Sequence, residues 1–448
     1  MSALDAIIKA YDVRGIYPDQ INADLVRSIG AGFGRFVRSE EPKTTRVVVA
    51  RDMRPSGPEL VDAFIEGVTS QGLDAVKLGL ASTDMLYFAS GHLNAPGAVF
   101  TASHNPAEYN GIKLCLSSAK PIGEQTGLQT IKASAESGLE ASGQPGSVTS
   151  IDLLNAFAAH VRSFVDLTML KPLKVVADTA NGMGGLVVPA VFEGLPFELD
   201  LLYPELDGTF PNHPADPIQP ENQKDLRARV LETGSDVGLA FDGDADRVFL
   251  VDENAEPLSG SVTTALVAAR MLEQNPGASV IHNLICSKAV PEVIIEKGGT
   301  PVRTRVGHSF IKEVMADTGA AFGGEHSGHY YFKDNWRADS GLIAALIILE
   351  QLSQSDQPLS ELRRPMERYA ASGEINTVVD DQAAVLERVA EAYRDAQQDT
   401  MDGLTVDLGD WWFNLRPSNT EPLLRLNLEA ATVEERDRRV AEVRNLFT

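Results

Sequence analysis

Short apolar runs rich in Val, Ile and Phe alternate along this chain with longer stretches of helical period, and this alternation limits the possible folds most tightly. Arg46-Val-Val-Val-Ala50, Gly97-Ala-Val-Phe-Thr101 and Lys174-Val-Val-Ala177 read as strands, as do Asp236 to Phe241, Val248 to Val251, Ser279 to Ile285 and Pro301 to Arg305. Helical segments separate them, the clearest being Pro58 to Thr69. Strand and helix in regular turn predict layered α/β units with largely parallel sheets. At 448 residues the chain exceeds what a single core supports, so three or four domains are expected.

Segment boundaries follow from composition. Ser137 to Ser150 is mostly Gly, Ser, Thr and Pro and reads as a linker. Further boundaries fall near Asn254–Pro257 and Pro365–Ser372. The last part changes character, with strands near Ile375 and Leu423 and a helix from Val433, as in a small α+β domain. No close sequence repeat is visible, although the first three segments share a coarse βα texture.

A net charge of −24 makes binding to nucleic acid or anionic membranes unfavourable, while leaving room for a small anion if basic residues gather in one cleft. Cys115 and Cys286 are the only cysteines, which gives no disulfide framework. Met1 to Gly15 lacks the apolar stretch of a signal peptide, and the apolar run Leu342 to Leu349 cannot span a bilayer, so a cytoplasmic protein is expected.

Four motifs carry candidate chemistry. Thr101-Ala-Ser-His-Asn-Pro106 follows a buried-looking strand, where turn-forming Asn and Pro leave the Ser103 hydroxyl at the mouth of a cleft. Ser103 is then a candidate to carry a phosphoryl group, the alternative being a polar turn. Tyr109-Asn-Gly-Ile-Lys113 could aim Lys113 at the same cleft. Asp242-Gly-Asp-Ala-Asp-Arg247 sets three carboxylates at alternate positions between two strands, a pattern suited to a hard divalent cation. An EF-hand does not fit, because its sixth position is Arg247 rather than Gly; a solvated acidic turn is the other reading. Arg247 could face a phosphate.

Gly323-Gly-Glu-His-Ser-Gly-His329 lets backbone approach a ligand closely and offers Glu325 and Ser327 as acceptor and donor for sugar hydroxyls. Zinc on His326 and His329, or a structural glycine loop, are the alternatives. Arg416-Pro-Ser-Asn-Thr-Glu-Pro422 sets hydroxyls and an amide beside an Arg, either a phosphate cradle or an ordinary turn.

The order of these motifs, one per segment, resembles the α-D-phosphohexomutase superfamily, specifically its bacterial phosphomannomutase/phosphoglucomutase group. The resemblance runs from Tyr11-Asp-Val-Arg-Gly15 to the Arg416 loop. It implies three layered α/β domains of similar topology and a smaller C-terminal α+β domain around a central cleft, at 1–148, 149–254, 255–366 and 367–448. It implies Ser103 as phosphoserine, with Asp242, Asp244 and Asp246 completing one Mg²⁺ site beside it. Tyr11, Arg14, His104, Lys113 and Arg247 would line the reacting centre, with Lys113 and His329 as acid/base candidates. His308, Glu325 and Ser327 would hold the sugar, and Arg416, Ser418, Asn419 and Thr420 the phosphate that is not reacting.

The implied reaction interconverts mannose 6-phosphate and mannose 1-phosphate, with glucose phosphates as further substrates and a hexose 1,6-bisphosphate as intermediate and activator. Phosphoglucomutase or phosphoglucosamine mutase activity is the nearest alternative. Thr101 and Tyr109 stand where the glucosamine enzymes usually have Ser and Asp, which tilts the expectation to mannose and glucose. Some bacterial relatives place a Lys in the strand before the Gly307-His-Ser309 loop. This chain reads His282-Asn-Leu-Ile-Cys-Ser287 there, leaving Lys288 or Arg305 to supply the charge. A metal-dependent phosphohydrolase and a noncatalytic sugar-phosphate or Ca²⁺-binding protein are the rival classes.

Overall fold

In a computed structural model of the chain, residues 3–8, 11–138, 140–417 and 423–447 are described, the side chain of His308 excepted. The apolar runs become buried strands close to where the pattern sets them. Arg46–Arg51, Gly97–Phe100, Leu173–Asp178, Val237–Phe241, Val248–Asp252, Ser279–Asn283 and Thr300–Thr304 are all strands, and Gly57–Ser70 is the expected helix.

Three of the sheets repeat one plan. In the first, Asp74–Leu80, Arg46–Arg51 and Gly97–Phe100 lie parallel in that spatial order, and Tyr109–Leu116 then pairs antiparallel to the last of them. Phe197–Leu202, Leu173–Asp178, Val237–Phe241 and Val248–Asp252 do the same in the second sheet. Thr300–Thr304, Ser279–Asn283, Phe322–Gly324 and Tyr330–Phe332 do so in the third. Each unit therefore runs second–first–third–fourth, with only the fourth strand reversed. The first sheet gains further strands, including Val13–Ile16 against Tyr109–Leu116.

One placement positions the function. The connection from third to fourth strand leaves the carboxyl edge of the parallel sheet, where α/β folds bind ligands. In the three units that connection is 101–108, 242–247 and 325–329, so three of the four motifs occupy the same point of one repeated topology.

The three units share a continuous apolar cluster that includes Val48, Leu86, Phe157, Leu239, Val267, Leu346 and Ile348. The apolar run 342–349 is the middle of the helix Gly341–Gln354 and is almost wholly buried there. The last unit is an antiparallel sheet ordered Ala370–Val378, Leu423–Ala430, Trp411–Pro417, Leu404–Asp407, Gln397–Asp399, with its own core around Phe413, Leu415 and Leu426. It docks on the third unit through Lys288 to Asp407 (2.7 Å), Arg303 to Asp399, and the Val306 N–H to Asp402 (3.3 Å).

Two sequence readings change. The end of the supposed linker, Val148–Ser150, is a short edge strand parallel to Asp74–Leu80, and Ser147 hydrogen-bonds Asp74. Lys288 is spent on the last unit, and the strand position before it holds His282. His282 is buried, and burial pushes its imidazolium down to about 4. The unfolded chain takes up a proton as pH falls below about 6.5 while the folded chain does not until about 4, so the contribution is present above that window and lost within it. Thermal unfolding between pH 7 and 4.5 should show a loss on the order of 3 kcal/mol from this group. His282→Asn should flatten that slope. An identical slope in the variant would remove His282 from the explanation.

Candidate active site

The strand Gly97–Phe100 is buried throughout and delivers Ser103 to the edge of its sheet. Ser103 adopts φ 49°, a left-handed conformation uncommon for a residue with a Cβ. Its N–H donates to Thr101 Oγ1 (2.9 Å), and its hydroxyl donates to Asp242 Oδ2 (2.7 Å) in the second unit. The carbonyl side of the turn meets Gly243, where a Cβ would lie 2.4 Å from the Ser103 oxygen. Gly243 is thus required for close approach, and Gly243→Ala should displace the serine and lower kcat about 100-fold. Steady-state kinetics on a variant with unchanged melting temperature checks this; wild-type kcat would contradict it.

His104 Nδ1 lies 3.3 Å from Ser103 Oγ and 2.6 Å from Arg247 Nη2. A guanidinium can only donate, so Nδ1 is an acceptor and the ring proton sits on Nε2. Burial, reinforced by Arg247 and Arg14, holds this imidazole well below its ordinary pKa, hence neutral. Arg247 also donates from Nε to Asp242 Oδ2 (2.8 Å). Arg14 donates to Asn105 Oδ1 (2.7 Å) and Asp12 Oδ2 (2.5 Å).

Asp242, Asp244 and Asp246 are buried with carboxylate oxygens within 4.8 Å of one another. Lys113 reaches across from the first unit to Asp244 Oδ2 (2.8 Å) and Asp246 Oδ2 (2.7 Å). Burial alone would lower Lys113; the two carboxylates outweigh it and raise its pKa well above the ordinary value. Burial likewise raises Asp242 well above the carboxylate range despite Arg247. Two protein cations therefore offset part of the acidic charge, which answers how three carboxylates can be buried. The oxygens Asp244 Oδ1 and Asp246 Oδ1 are buried with no hydrogen-bond partner among the described residues. Unsatisfied carboxylate oxygens clustered with Asp242, which contacts Ser103, suit a hard divalent cation, so the donor set fits Mg²⁺.

The third loop presents Glu325, buried and fixed by Tyr331 Oη–H (2.6 Å), Asn283 Nδ2–H (3.1 Å) and the Gly307 N–H (3.2 Å). Ser327 Oγ lies 3.0 Å from His329 Nδ1, and His329 Nε2 lies 3.9 Å from Asp246 Oδ1. His329 thus stands beside the metal loop. His326 turns away to Ser261 (3.1 Å), and the zinc reading of the two histidines finds no support in that geometry. Tyr11 packs edge-on to Phe310. Its ring lies against Gly307, where a Cβ would be 3.1 Å away, and burial, with Asp402 and Glu325 nearby, raises its pKa. Arg305 Cζ lies 4.6 Å from the centre of the same Phe310 ring, whereas Lys288 pairs with Asp407. Arg416 Nη2 donates to Glu374 Oε2 (3.3 Å), with Asp402 3.8 Å away. His308 opens the helix His308–Thr318, but its side chain, like Ser418, Asn419 and Thr420, lies outside the described residues.

Sequence reasoning missed two residues that hold these loops. Thr83 Oγ1 donates to Asp244 Oδ2 (2.6 Å), and its N–H to the Asp244 carbonyl (3.0 Å). Arg54 is fully buried behind the Ser103 loop, paired to Asp52 (3.2 Å). Charged residues directly after the apolar strand, Arg51-Asp52-Met53-Arg54, were the available signal.

The chain matches the families described as phosphoglucomutase/phosphomannomutase alpha/beta/alpha domain I over residues 5–142, domain II over 155–256, domain III over 259–369 and the C-terminal domain over 374–446. It is 40% identical to "Phosphohexose mutases" of Xanthomonas campestris pv. campestris, covering 97% of this chain and 98% of that one. It is 39% identical to a phosphomannomutase of Escherichia coli K12, covering 94% of each. The crystal structure of a phosphoglucomutase/phosphomannomutase family protein from Burkholderia thailandensis superposes with a TM-score of 0.89 at 32% identity, covering 100% of this chain and 97% of that one.

Proposed function

We propose that this chain, which belongs to the phosphoglucomutase/phosphomannomutase family of α-D-phosphohexomutases, interconverts mannose 6-phosphate and mannose 1-phosphate, and turns over glucose phosphates as well. Membership makes it a phosphohexomutase, an isomerase working by intramolecular phosphoryl transfer. No helix among the described residues is long and apolar enough to cross a membrane.

The observation that carries the reading is the 2.7 Å contact of Ser103 Oγ with Asp242, with Lys113 bridging Asp244 and Asp246. Ser103 begins as a phosphoserine. The free hydroxyl of the bound hexose monophosphate attacks its phosphorus, the hydroxyl proton leaves to a base, for which His329 is the candidate, and the bond to Ser103 Oγ breaks, with Lys113, held protonated by Asp244 and Asp246, as the candidate acid for that oxygen. The product, a hexose 1,6-bisphosphate, turns end over end. Ser103 Oγ then takes the other phosphoryl group, which regenerates the phosphoserine and releases the isomer. Asp242, Asp244, Asp246 and the Ser103 oxygen would hold Mg²⁺, which neutralises phosphoryl oxygens as charge redistributes.

The surrounding residues divide the rest of the work. Arg14, Arg247 and His104 line the reacting phosphate, while Glu325, Ser327 and His308 meet sugar hydroxyls. Arg416, with Ser418, Asn419 and Thr420, takes the distal phosphate. An acidic protein thereby gathers Arg14, Lys113, Arg247 and Arg416 around the proposed cleft, as an anionic substrate requires. A charge-assisted contact of this kind is worth roughly 1.5–3 kcal/mol. Arg416→Ala should accordingly raise KM about 10- to 100-fold, and an unchanged KM would place the distal phosphate elsewhere.

Coupled assays on mannose 1-phosphate, glucose 1-phosphate and glucosamine 1-phosphate test the assignment. The first should be turned over with the highest kcat/KM, and the second measurably. Preference for glucosamine 1-phosphate would reassign the substrate.

A further inference from the structure

Ser103 carries a strained backbone, and something must hold it there. The Arg54 guanidinium lies directly behind it with all five N–H donors engaged. Nη2 donates to the carbonyls of Ser103 (2.9 Å) and Asn105 (2.7 Å). Nη1 donates to those of Pro106 (2.7 Å) and Tyr109 (2.9 Å), and Nε to Asp52 Oδ2 (3.2 Å). Four of five donors thus gather one loop's carbonyls onto a single planar group, which a compact ammonium could not reproduce.

The second unit closes over the same arginine. A Cβ on Gly208 would lie 2.6 Å from the Arg54 Cα, and Arg54 Cζ sits 5.3 Å from the centre of the Phe210 ring. Gly243, whose loop carries Asp242, approaches the same Ser103 carbonyl, where a Cβ would lie 2.4 Å from its oxygen. The nucleophile's peptide is therefore held by Gly243 and by a guanidinium that is itself locked by the turn at 207–210. Asp52, also fully buried, pairs with Arg54, and Thr101 Oγ1 accepts the Ser103 N–H.

We propose that Arg54 is a positioning residue that sets the line of attack of Ser103 and ties it to the docking of the second unit. It touches no substrate. Its effect falls on phosphoryl transfer, because the transfer needs the serine oxygen in line with phosphorus, and displacement by about 1 Å costs about 100-fold in rate. The proposal rests on the phosphoserine reading above, so its test keeps the two apart.

Dephosphorylated wild-type and Arg54→Lys enzymes are mixed with labelled glucose 1,6-bisphosphate and quenched rapidly, and label on Ser103 is followed. Mn²⁺ affinity by electron paramagnetic resonance reports separately on the Asp loop. The expected result is an Arg54→Lys enzyme with unchanged Mn²⁺ affinity and KM but phosphorylation and kcat both slowed about 100-fold. Equal labelling rates in the two enzymes overturn the proposal alone. A loss of Mn²⁺ affinity in step with the rate overturns it too, marking Arg54 as structural cement. A wild type that takes no label on Ser103 defeats the phosphoserine reading, and this proposal with it. Should Arg54→Lys not fold, Phe210→Leu decides: it keeps every Arg54 hydrogen bond and should slow labelling about 10-fold, while wild-type labelling overturns the proposal.

Discussion

Ser103→Ala should leave a folded protein with no measurable turnover, a loss of at least about 10⁴-fold. In the proposed mechanism the serine oxygen is the atom whose bond to phosphorus forms and breaks, so no partial activity should survive its removal. No neighbour replaces it: Thr101 Oγ1 is engaged by the Ser103 N–H, and Asp242 would be left facing a methyl group. Folding should tolerate the change, because the conformation of residue 103 is imposed by Arg54, Gly243 and Thr101 rather than by its own hydroxyl. Steady-state assay and intact-mass analysis check both halves. Freshly purified wild type should carry one phosphoryl group on the peptide containing Ser103, and the variant none. Substantial activity in Ser103→Ala, or phosphate mapped to another residue, would contradict the mechanism.

Removing divalent cations should have the second largest effect, on the order of 10³-fold or more, with full recovery on adding Mg²⁺. Buried Asp244 Oδ1 and Asp246 Oδ1 lack partners among the described residues, and phosphorylation of Ser103 would bring a further dianion beside them. Lys113 and Arg247 offset only part of that charge. Asp244→Asn should mirror chelation by weakening Mn²⁺ binding. Its melting temperature should fall without loss of the fold, since the exchange breaks a buried ion pair with Lys113, so Mn²⁺ binding is compared below the onset of unfolding. Full activity in excess chelator would refute the metal site.

The motifs and most of the strands were legible because their signals are local. An apolar run ending in Ser-His-Asn-Pro, or three aspartates alternating between two runs, needs no knowledge of the rest of the chain. The repeated second–first–third–fourth topology was visible only as a texture, because it resides in strand pairing rather than in recurring residues. Val148–Ser150 looked like linker since all three residues are exposed, which removes the alternation that marks a strand. In the tail, where strands near Ile375 and Leu423 and a helix from Val433 were legible, the strands Leu404–Asp407 and Trp411–Pro417 were not.

Arg54 shows the clearest limit. Its four carbonyl acceptors lie 49 to 55 residues away, and the partner of Thr83 lies 161 residues away. Side chains that position a nucleophile across such separations leave no spacing to read. Lys288 and Arg305 make the same point in reverse: either could have served the cleft by sequence, and only the docking of the last unit on Lys288 separates them.

The decisive experiment follows labelled phosphate through a single turnover. Enzyme carrying [³²P]phosphate on Ser103 is mixed with excess unlabelled mannose 6-phosphate and Mg²⁺, quenched within one turnover, and the label partitioned among protein, hexose phosphates and inorganic phosphate. A mutase working through Ser103 transfers the label to hexose 1,6-bisphosphate and then to hexose monophosphate, with almost none in inorganic phosphate. Label released chiefly as inorganic phosphate would make the protein a phosphohydrolase, and label retained on the protein while product accumulates would exclude Ser103 from the reaction.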